Sequence, residues 1–175
     1  MAAIDEASYR EFVSVRRRGL LRTAYLLTGD WHAAEDLVQD TLTKLYLGWR
    51  RVRRREDAPS YARRTMLNAY VDSTRRPWRR EYVVAAVPDR MGDGDPADAG
   101  DPDTRTRLMR ALAGVPPKQR AVLVLRFWED LSVEQVAELL DCSTGNVKSQ
   151  TARGLERLRE VLGPAQLASI RGEVR

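Results

Sequence analysis

The chain is short of the residues that build most chemical sites. Its 175 residues include one cysteine, Cys142, and one histidine, His32. A single cysteine cannot close an internal disulfide or complete a zinc site. Cys142 falls in a turn between two expected helices, where a small buried residue is the expected role. His32 stands near a helix start, and no second histidine, cysteine or carboxylate pattern joins it as a metal or catalytic set. No cofactor and no small-molecule substrate are therefore expected. No apolar run approaches bilayer-spanning length, and the opening residues MAAIDEASYR do not have the pattern of a secretory leader. The expectation is a cytoplasmic protein without membrane insertion. Strand-like alternation of useful length is also missing, so an all-α fold is expected. Hydrophobic residues make up 43% of the chain, enough for a core.

Lysine is nearly absent as well: Lys44, Lys118 and Lys148 are the only three, and arginine carries the positive charge. The net charge is +5, but it is unevenly spread. Residues 1–82 carry +6, residues 83–104 carry −5 and residues 105–175 carry +4. Two basic blocks thus flank an acidic connector. Basic blocks favour a polyanion such as DNA, although solvated arginine faces have the same composition. Residues 88–104, PDRMGDGDPADAGDPDT, are rich in Asp, Gly and Pro, the composition of a flexible linker. The expected organisation is a helical domain over 1–82, an acidic linker over 83–104 and a second helical domain over 105–175.

The most organised stretch is residues 131–162. Ser132 and Gln135 have the spacing of a capping box. Val133, Val136, Ala137 and Leu140 form a short apolar face, and Asp141-Cys142-Ser143 interrupts it. Ser143 is a good N-cap for a second helix. On that helix Val147, Thr151, Gly154, Leu155, Leu158, Val161 and Leu162 share one stripe of helical period. The opposite face carries Thr144, Asn146, Lys148, Ser149, Gln150 and Arg153. Polar donors near the start of a second helix suit the major groove in a helix-turn-helix. An ordinary helical hairpin with a solvated face has the same periodicity, so the rest of the chain must decide.

In the first block, residues 8–28 read as a helix with apolar Tyr9, Phe12, Val13, Leu20, Ala24 and Leu27. Gly29 closes it and Asp30 caps the next. The second helix, about 31–52, puts Ala34, Val38, Thr41, Leu42, Leu45, Trp49 and Val52 on one face. Asp36, Gln39, Asp40 and Thr43 lie on another. A basic run over 50–55 follows; it suits either a polyanion or the negative end of the helix dipole. Glu56-Asp57-Ala58-Pro59 is expected to break the chain. A third helix over about 60–76 carries Tyr61, Ala62, Thr65, Met66 and Ala69 as apolar positions. Arg64, Asn68, Asp72 and Arg75 share another face of it. Arg75, Arg76, Arg79 and Arg80 then surround Trp78. That cluster is either a nucleic-acid clamp, with charge for the backbone and a ring for an unpaired base, or a tryptophan covering the core edge beside solvated arginines. Beyond the linker, a short helix with Leu108, Leu112 and Val115 stops at Pro116-Pro117. Another runs over 118–128 with Val122, Leu123, Leu125 and Phe127.

Three strings in this order resemble the extracytoplasmic function (ECF) sigma factors of bacterial RNA polymerase: AAEDLVQDTLTKLY, SYARRTMLNAYVDSTRR and LAGVPPKQRAVLVLRFWEDLSVEQVAELLDCSTGNVKSQTARGLERLR. The resemblance implies a transcription initiation factor, not an enzyme, that binds core RNA polymerase, directs it to a promoter and opens the duplex. It implies that Asp36, Gln39, Asp40 and Thr43 grip the polymerase, and that Asn68 and Asp72 meet the opened promoter element. Arg64, Arg75, Arg76, Trp78 and Arg79 join that element on the residue reading above. The 54–59 segment matches the part of the family that holds a flipped base. In the helix-turn-helix, Ser143, Thr144, Asn146, Lys148, Ser149, Gln150 and Arg153 are the expected contacts to the upstream element. Gln150 departs from the arginine common there. The tether would span two promoter elements, either as a mimic of a DNA strand in a basic channel or as a plain solvated spacer. Family membership also implies an anti-sigma factor as a further partner. The competing reading is a stand-alone helix-turn-helix regulator on duplex operator DNA. It predicts a receiver-like or dimerisation element, and the first block shows neither strand–helix alternation nor a heptad seam. An enzyme acting on nucleic acid would need clustered carboxylates or a nucleophile with its base, and Asp36 and Asp40 have no partner ligands.

Overall fold

A computed structural model describes residues 6–52, 55–75 and 102–163. These residues form seven α-helices and, among them, no strand. The helices are α1 (Glu6–Thr28), α2 (Trp31–Gly48), α3 (Ala58–Arg75), α4 (Pro102–Ala113), α5 (Pro117–Leu123), α6 (Val133–Leu139) and α7 (Thr144–Leu162). None of the described helices is long and apolar enough to cross a membrane.

Local chemistry sets most of the boundaries. Gly29 adopts φ 74°, a left-handed conformation that glycine reaches without a Cβ clash, and its N–H bonds the Tyr25 carbonyl at 2.8 Å to end α1. The Asp30 carboxylate then accepts from the Ala33 N–H at 2.8 Å and starts α2. The capping box on α6 forms as expected: Ser132 Oγ accepts from the Gln135 N–H at 3.1 Å, and Gln135 Oε1 accepts from the Ser132 N–H at 2.8 Å. Ser143 Oγ accepts from the Asn146 N–H at 3.1 Å at the head of α7.

Four boundaries differ from the sequence reading. The second helix ends at Gly48, and Trp49–Arg51 continue as a 3-10 turn, with Val52 extended and only half-buried. A Cβ on Gly48 would stand 2.7 Å from the Tyr61 hydroxyl, so α3 crosses the end of α2 too closely for a side chain there. Pro59 does not break the chain: Arg55–Asp57 form a 3-10 turn that feeds α3, and Pro59 sits in the first helical turn, where its missing N–H costs nothing. The second block, expected over 105–175, opens with a helix that already begins at Pro102, within the end of the acidic stretch, again with proline at its first position. The helix read as 118–128 begins at Pro117 and changes at Leu123 into a π turn, Val124–Trp128, closed by the Glu129 N–H on the Val124 carbonyl at 3.0 Å.

The core follows the expected apolar faces. Leu27 and Leu45 are fully buried, and Leu20, Ala24, Ala34, Val38, Leu42, Trp49, Ala62 and Met66 join them. Leu67 and Tyr70 add an α3 surface that the sequence reading did not place inside. In the second block Val136, Val147, Leu158 and Leu162 are buried, but Val161 is 57% exposed: its direction lies off the stripe's centre, near the end of α7. Cys142 is half-buried rather than enclosed, because the turn that carries it lies at the edge of the core. Gly154 lets α7 close on α5, since a Cβ there would stand 2.9 Å from Leu123 Cδ1.

The two blocks share one hydrophobic cluster. Leu20, Ala24, Leu27, Met66 and Tyr70 from the first pack in the same cluster as Ala121, Val122, Val124 and Leu125 from the second. Helix α3 touches both α5 and α6, and α1 touches α5 and the π turn. Arg120 spans the boundary, only 5% exposed. It donates to the carbonyls of Leu27 at 2.8 Å, Ala113 at 3.0 Å and Val115 at 3.2 Å. Leu27 and Ala113 lie at helix C-termini, whose dipoles favour a cation. Burial pulls the Arg120 guanidinium below its ordinary pKa, opposed by the phenol of Tyr70, itself raised by burial.

Candidate nucleic-acid interface

Helix α2 buries one side against α1 and α3, which fixes what the other side can present. Leu37, Val38, Thr41, Leu42 and Leu45 are buried, and Asp36, Gln39, Asp40 and Thr43 are all exposed. The face is not purely acidic, because Lys44 Nζ lies 2.7 Å from Asp40 Oδ2. At the far end of the same face Leu47 is 74% exposed, a residue the sequence reading passed over although its i+11 spacing from Asp36 puts it on that stripe.

On α3 the buried side is Ala62, Met66, Leu67, Ala69 and Tyr70. Arg64, Asn68 and Asp72 are exposed on one line. Arg75 closes the helix, and its side chain lies outside the described residues, as do Arg76, Trp78, Arg79 and Arg80. Arg64 is exposed but engaged: a guanidinium nitrogen donates to the Glu138 carbonyl on α6 at 2.6 Å. Its neighbour Arg63, not singled out in the sequence, donates Nε to Glu129 Oε2 at 2.8 Å. The adjacent Arg63-Arg64 pair was a visible signal, but one arginine falls on the face read as functional and the other off it. Of the 54–59 segment, Glu56 and Asp57 are exposed and Ala58 is buried; Arg54 lies outside the described residues.

The α7 set is where the sequence placed it. Ser143, Thr144, Asn146, Lys148, Ser149 and Arg153 are exposed, and Gln150 is half-exposed. The buried side, Val147, Gly154, Leu158 and Leu162, holds the helix against α4, α5 and α6. Gln150 Nε2 donates to Asn146 Oδ1 at 3.3 Å, so the two amides stand one turn apart on the outer face. Across the turn, the Glu134 carboxyl on α6 is held below its usual range, first by its own backbone N–H and then by the Ser132 hydroxyl, with Lys148 and Arg126 as weaker contributors.

Among the described residues no group of three or more His, Cys, Asp or Glu is placed to hold a metal ion. The surfaces are polar helix faces on an apolar frame, which suits recognition of macromolecules.

Residues 12–80 match the model of sigma-70 region 2, and residues 105–158 match that of sigma-70 region 4. The RNA polymerase sigma-E factor of Streptomyces coelicolor is 38% identical over 156 residues, covering 88% of this chain and 85% of that protein. The ECF RNA polymerase sigma factor SigW of Bacillus subtilis is 25% identical over 169 residues, with 90% of each chain covered. The fold is like that of the sigma factor RpoE from Bartonella quintana, solved in complex with the anti-sigma factor NepR: the TM-score is 0.68 at 24% identity, over 88% of this chain and 96% of that one. The chain belongs to the ECF RNA polymerase sigma factors of the sigma-70 family, and is a transcription initiation factor. A stand-alone regulator is not favoured, since the first block matches region 2.

Proposed function

We propose that the three exposed faces divide the work of promoter-directed initiation. Asp36, Gln39, Asp40 and Thr43 on α2 dock core RNA polymerase. Arg64, Asn68 and Asp72 on α3, with Arg75, Arg76, Trp78 and Arg79 beyond, meet the opened promoter strand. Ser143, Thr144, Asn146, Lys148, Ser149, Gln150 and Arg153 enter the major groove of the upstream element. Arginine and lysine supply phosphate affinity and the amides supply base readout. The observation that carries this reading is that the described members of all three sets stand on helix faces opposite buried apolar sides, so the same packing that folds each helix presents its polar set.

In this reading the protein has no catalytic step of its own. Strand opening needs a site that captures an unstacked base, which offsets the few kcal/mol typical of unstacking. The protein works in the cytoplasm, where its polymerase is. Residues 83–104 are the tether between a region 2-like domain over 1–82 and a region 4-like domain over 105–175. An anti-sigma factor is a further partner, as the RpoE neighbour has one. Run-off transcription with core polymerase on a library of promoter fragments tests the reading. Discrete transcripts that require the protein are expected. Specific duplex binding with no polymerase-dependent transcript from any fragment would support the regulator instead.

A further inference from the structure

Helix α2 keeps one large apolar side chain out of the core. Leu47 is 74% exposed, although Leu42 and Leu45 on the same helix are buried. It stands in line with the docking residues: Asp36, Asp40, Thr43 and Leu47 follow at steps of four, three and four, so they share one face over about 16 Å of helix. Two polar members of that line already have partners within α2. Asp40 Oδ2 pairs with Lys44 Nζ at 2.7 Å, and Thr43 Oγ1 donates to the Gln39 carbonyl at 2.9 Å. Contacts these groups make to another protein replace bonds to Lys44, the helix or water, so each adds little net affinity. Leu47 has only water to give up, and its burial is favourable outright. The helix end that carries it is held in place. Tyr9 on α1 packs edge-on against Tyr46 and Trp49, with ring centroids 5.1 and 5.3 Å apart, and Trp49 Nε1 donates to Ser8 Oγ at 3.2 Å. A side chain presented on so fixed a frame loses little freedom on docking.

We propose that Leu47 is the apolar anchor of the polymerase-docking face: its side chain enters an apolar pocket with a basic rim on core RNA polymerase. The face then divides its work. Asp36 and Asp40 attract the basic rim and set how fast the two proteins meet, because charge acts at a distance and steers encounter. Leu47 acts only in contact and sets how long the complex lasts. This arrangement has the make-up of a protein interface, an apolar centre beside polar groups that stay near solvent. The choice of partner rests on the α2 assignment under Proposed function, with which Leu47 is continuous. Val15 on α1 is exposed to a similar degree, 69%, but its neighbours Arg16, Arg17 and Arg18 are basic, so it offers no acidic companion to the same rim.

The test measures association and dissociation of the full chain with core RNA polymerase by biolayer interferometry, at low and at high salt. Four variants are compared with the parent: Leu47→Ser, Leu47→Met, Asp36→Asn and Val15→Ser. All four positions are exposed, so melting temperatures should match the parent's. Leu47→Ser should dissociate about tenfold faster or more, the effect of losing one buried leucine side chain. Its association rate should stay within about twofold of the parent's, and its defect should be the same at both salts. Leu47→Met keeps an apolar side chain of similar volume and should dissociate nearly as slowly as the parent. Asp36→Asn should associate more slowly at low salt, and the difference should shrink at high salt. Val15→Ser should behave as the parent does. An unchanged dissociation rate in Leu47→Ser would overturn the anchor, and so would an equal acceleration in Val15→Ser, which would mark general stickiness instead of a pocket. The two readings fail separately. Parent-like kinetics in Asp36→Asn at both salts, with fast dissociation in Leu47→Ser, would refute the acidic docking assignment and leave the anchor standing. A salt-dependent defect in Asp36→Asn with parent-like Leu47→Ser would do the reverse.

Discussion

Asp40→Arg should weaken holoenzyme assembly strongly and leave the fold intact. Asp40 and Lys44 are each about half exposed, and their ion pair at 2.7 Å is an i,i+4 surface pair. Such pairs contribute about 0–1 kcal/mol, so replacing one partner costs the isolated protein little. The buried side of α2, with Leu42 and Leu45, is untouched. At a protein interface the same change sets like charge against a surface complementary to an acid, which costs several kcal/mol. Affinity for core polymerase should fall about a hundredfold or more, read by gel filtration of equimolar mixtures, with the helical circular dichroism spectrum and melting temperature unchanged. Normal co-elution would show that α2 presents this face to something else.

Arg120→Met should give a large loss of stability. The substitution keeps a long flexible side chain but removes the charge-assisted donor that serves Leu27, Ala113 and Val115. Three carbonyls, two at helix C-termini, lose it in a buried setting. Removing the cation also removes its desolvation cost, so the losses do not simply add. A net loss of about 3 kcal/mol is expected, measured from the urea midpoint. Arg120→Lys keeps the charge without the planar fork and should fall between the two. An unchanged midpoint in Arg120→Met would mean that Arg120 is tolerated rather than used.

The features legible in the sequence are those fixed by neighbours along the chain. Ser132 with Gln135, Ser143, Asp30 and Gly29 act within one turn, and each does in the structure what its spacing implies. The same holds for outward faces, since burying Val38 and Leu45 forces Asp40 outward. What could not be read depends on distant contacts. Position 48 must be a glycine because the Tyr61 hydroxyl crosses it too closely for a Cβ, a tertiary contact that no neighbouring residue announces. Arg120 looks like any surface arginine until Leu27, 93 residues away, is placed beside it. Thr23 and Glu129 are 106 residues apart and Arg63 and Glu129 are 66 apart, so no spacing rule couples them. An acidic, Gly- and Pro-rich stretch between two basic blocks has the composition of a linker, and nothing local in it encodes the core the blocks share.

If the α3 and α7 faces work as proposed, two different parts of one chain read two different promoter elements. Asn146 is exposed in the first turn of α7, and its amide can both donate to and accept from a base edge. The measurement that tests the claim most directly is selection of transcribed promoters from a library randomised at both elements, with holoenzyme carrying either the parent chain or Asn146→Ala. Altered preference at the upstream element, by about 1–3 kcal/mol at one base pair, is expected, with the same preference at the opened element. A change confined to the opened element would contradict it.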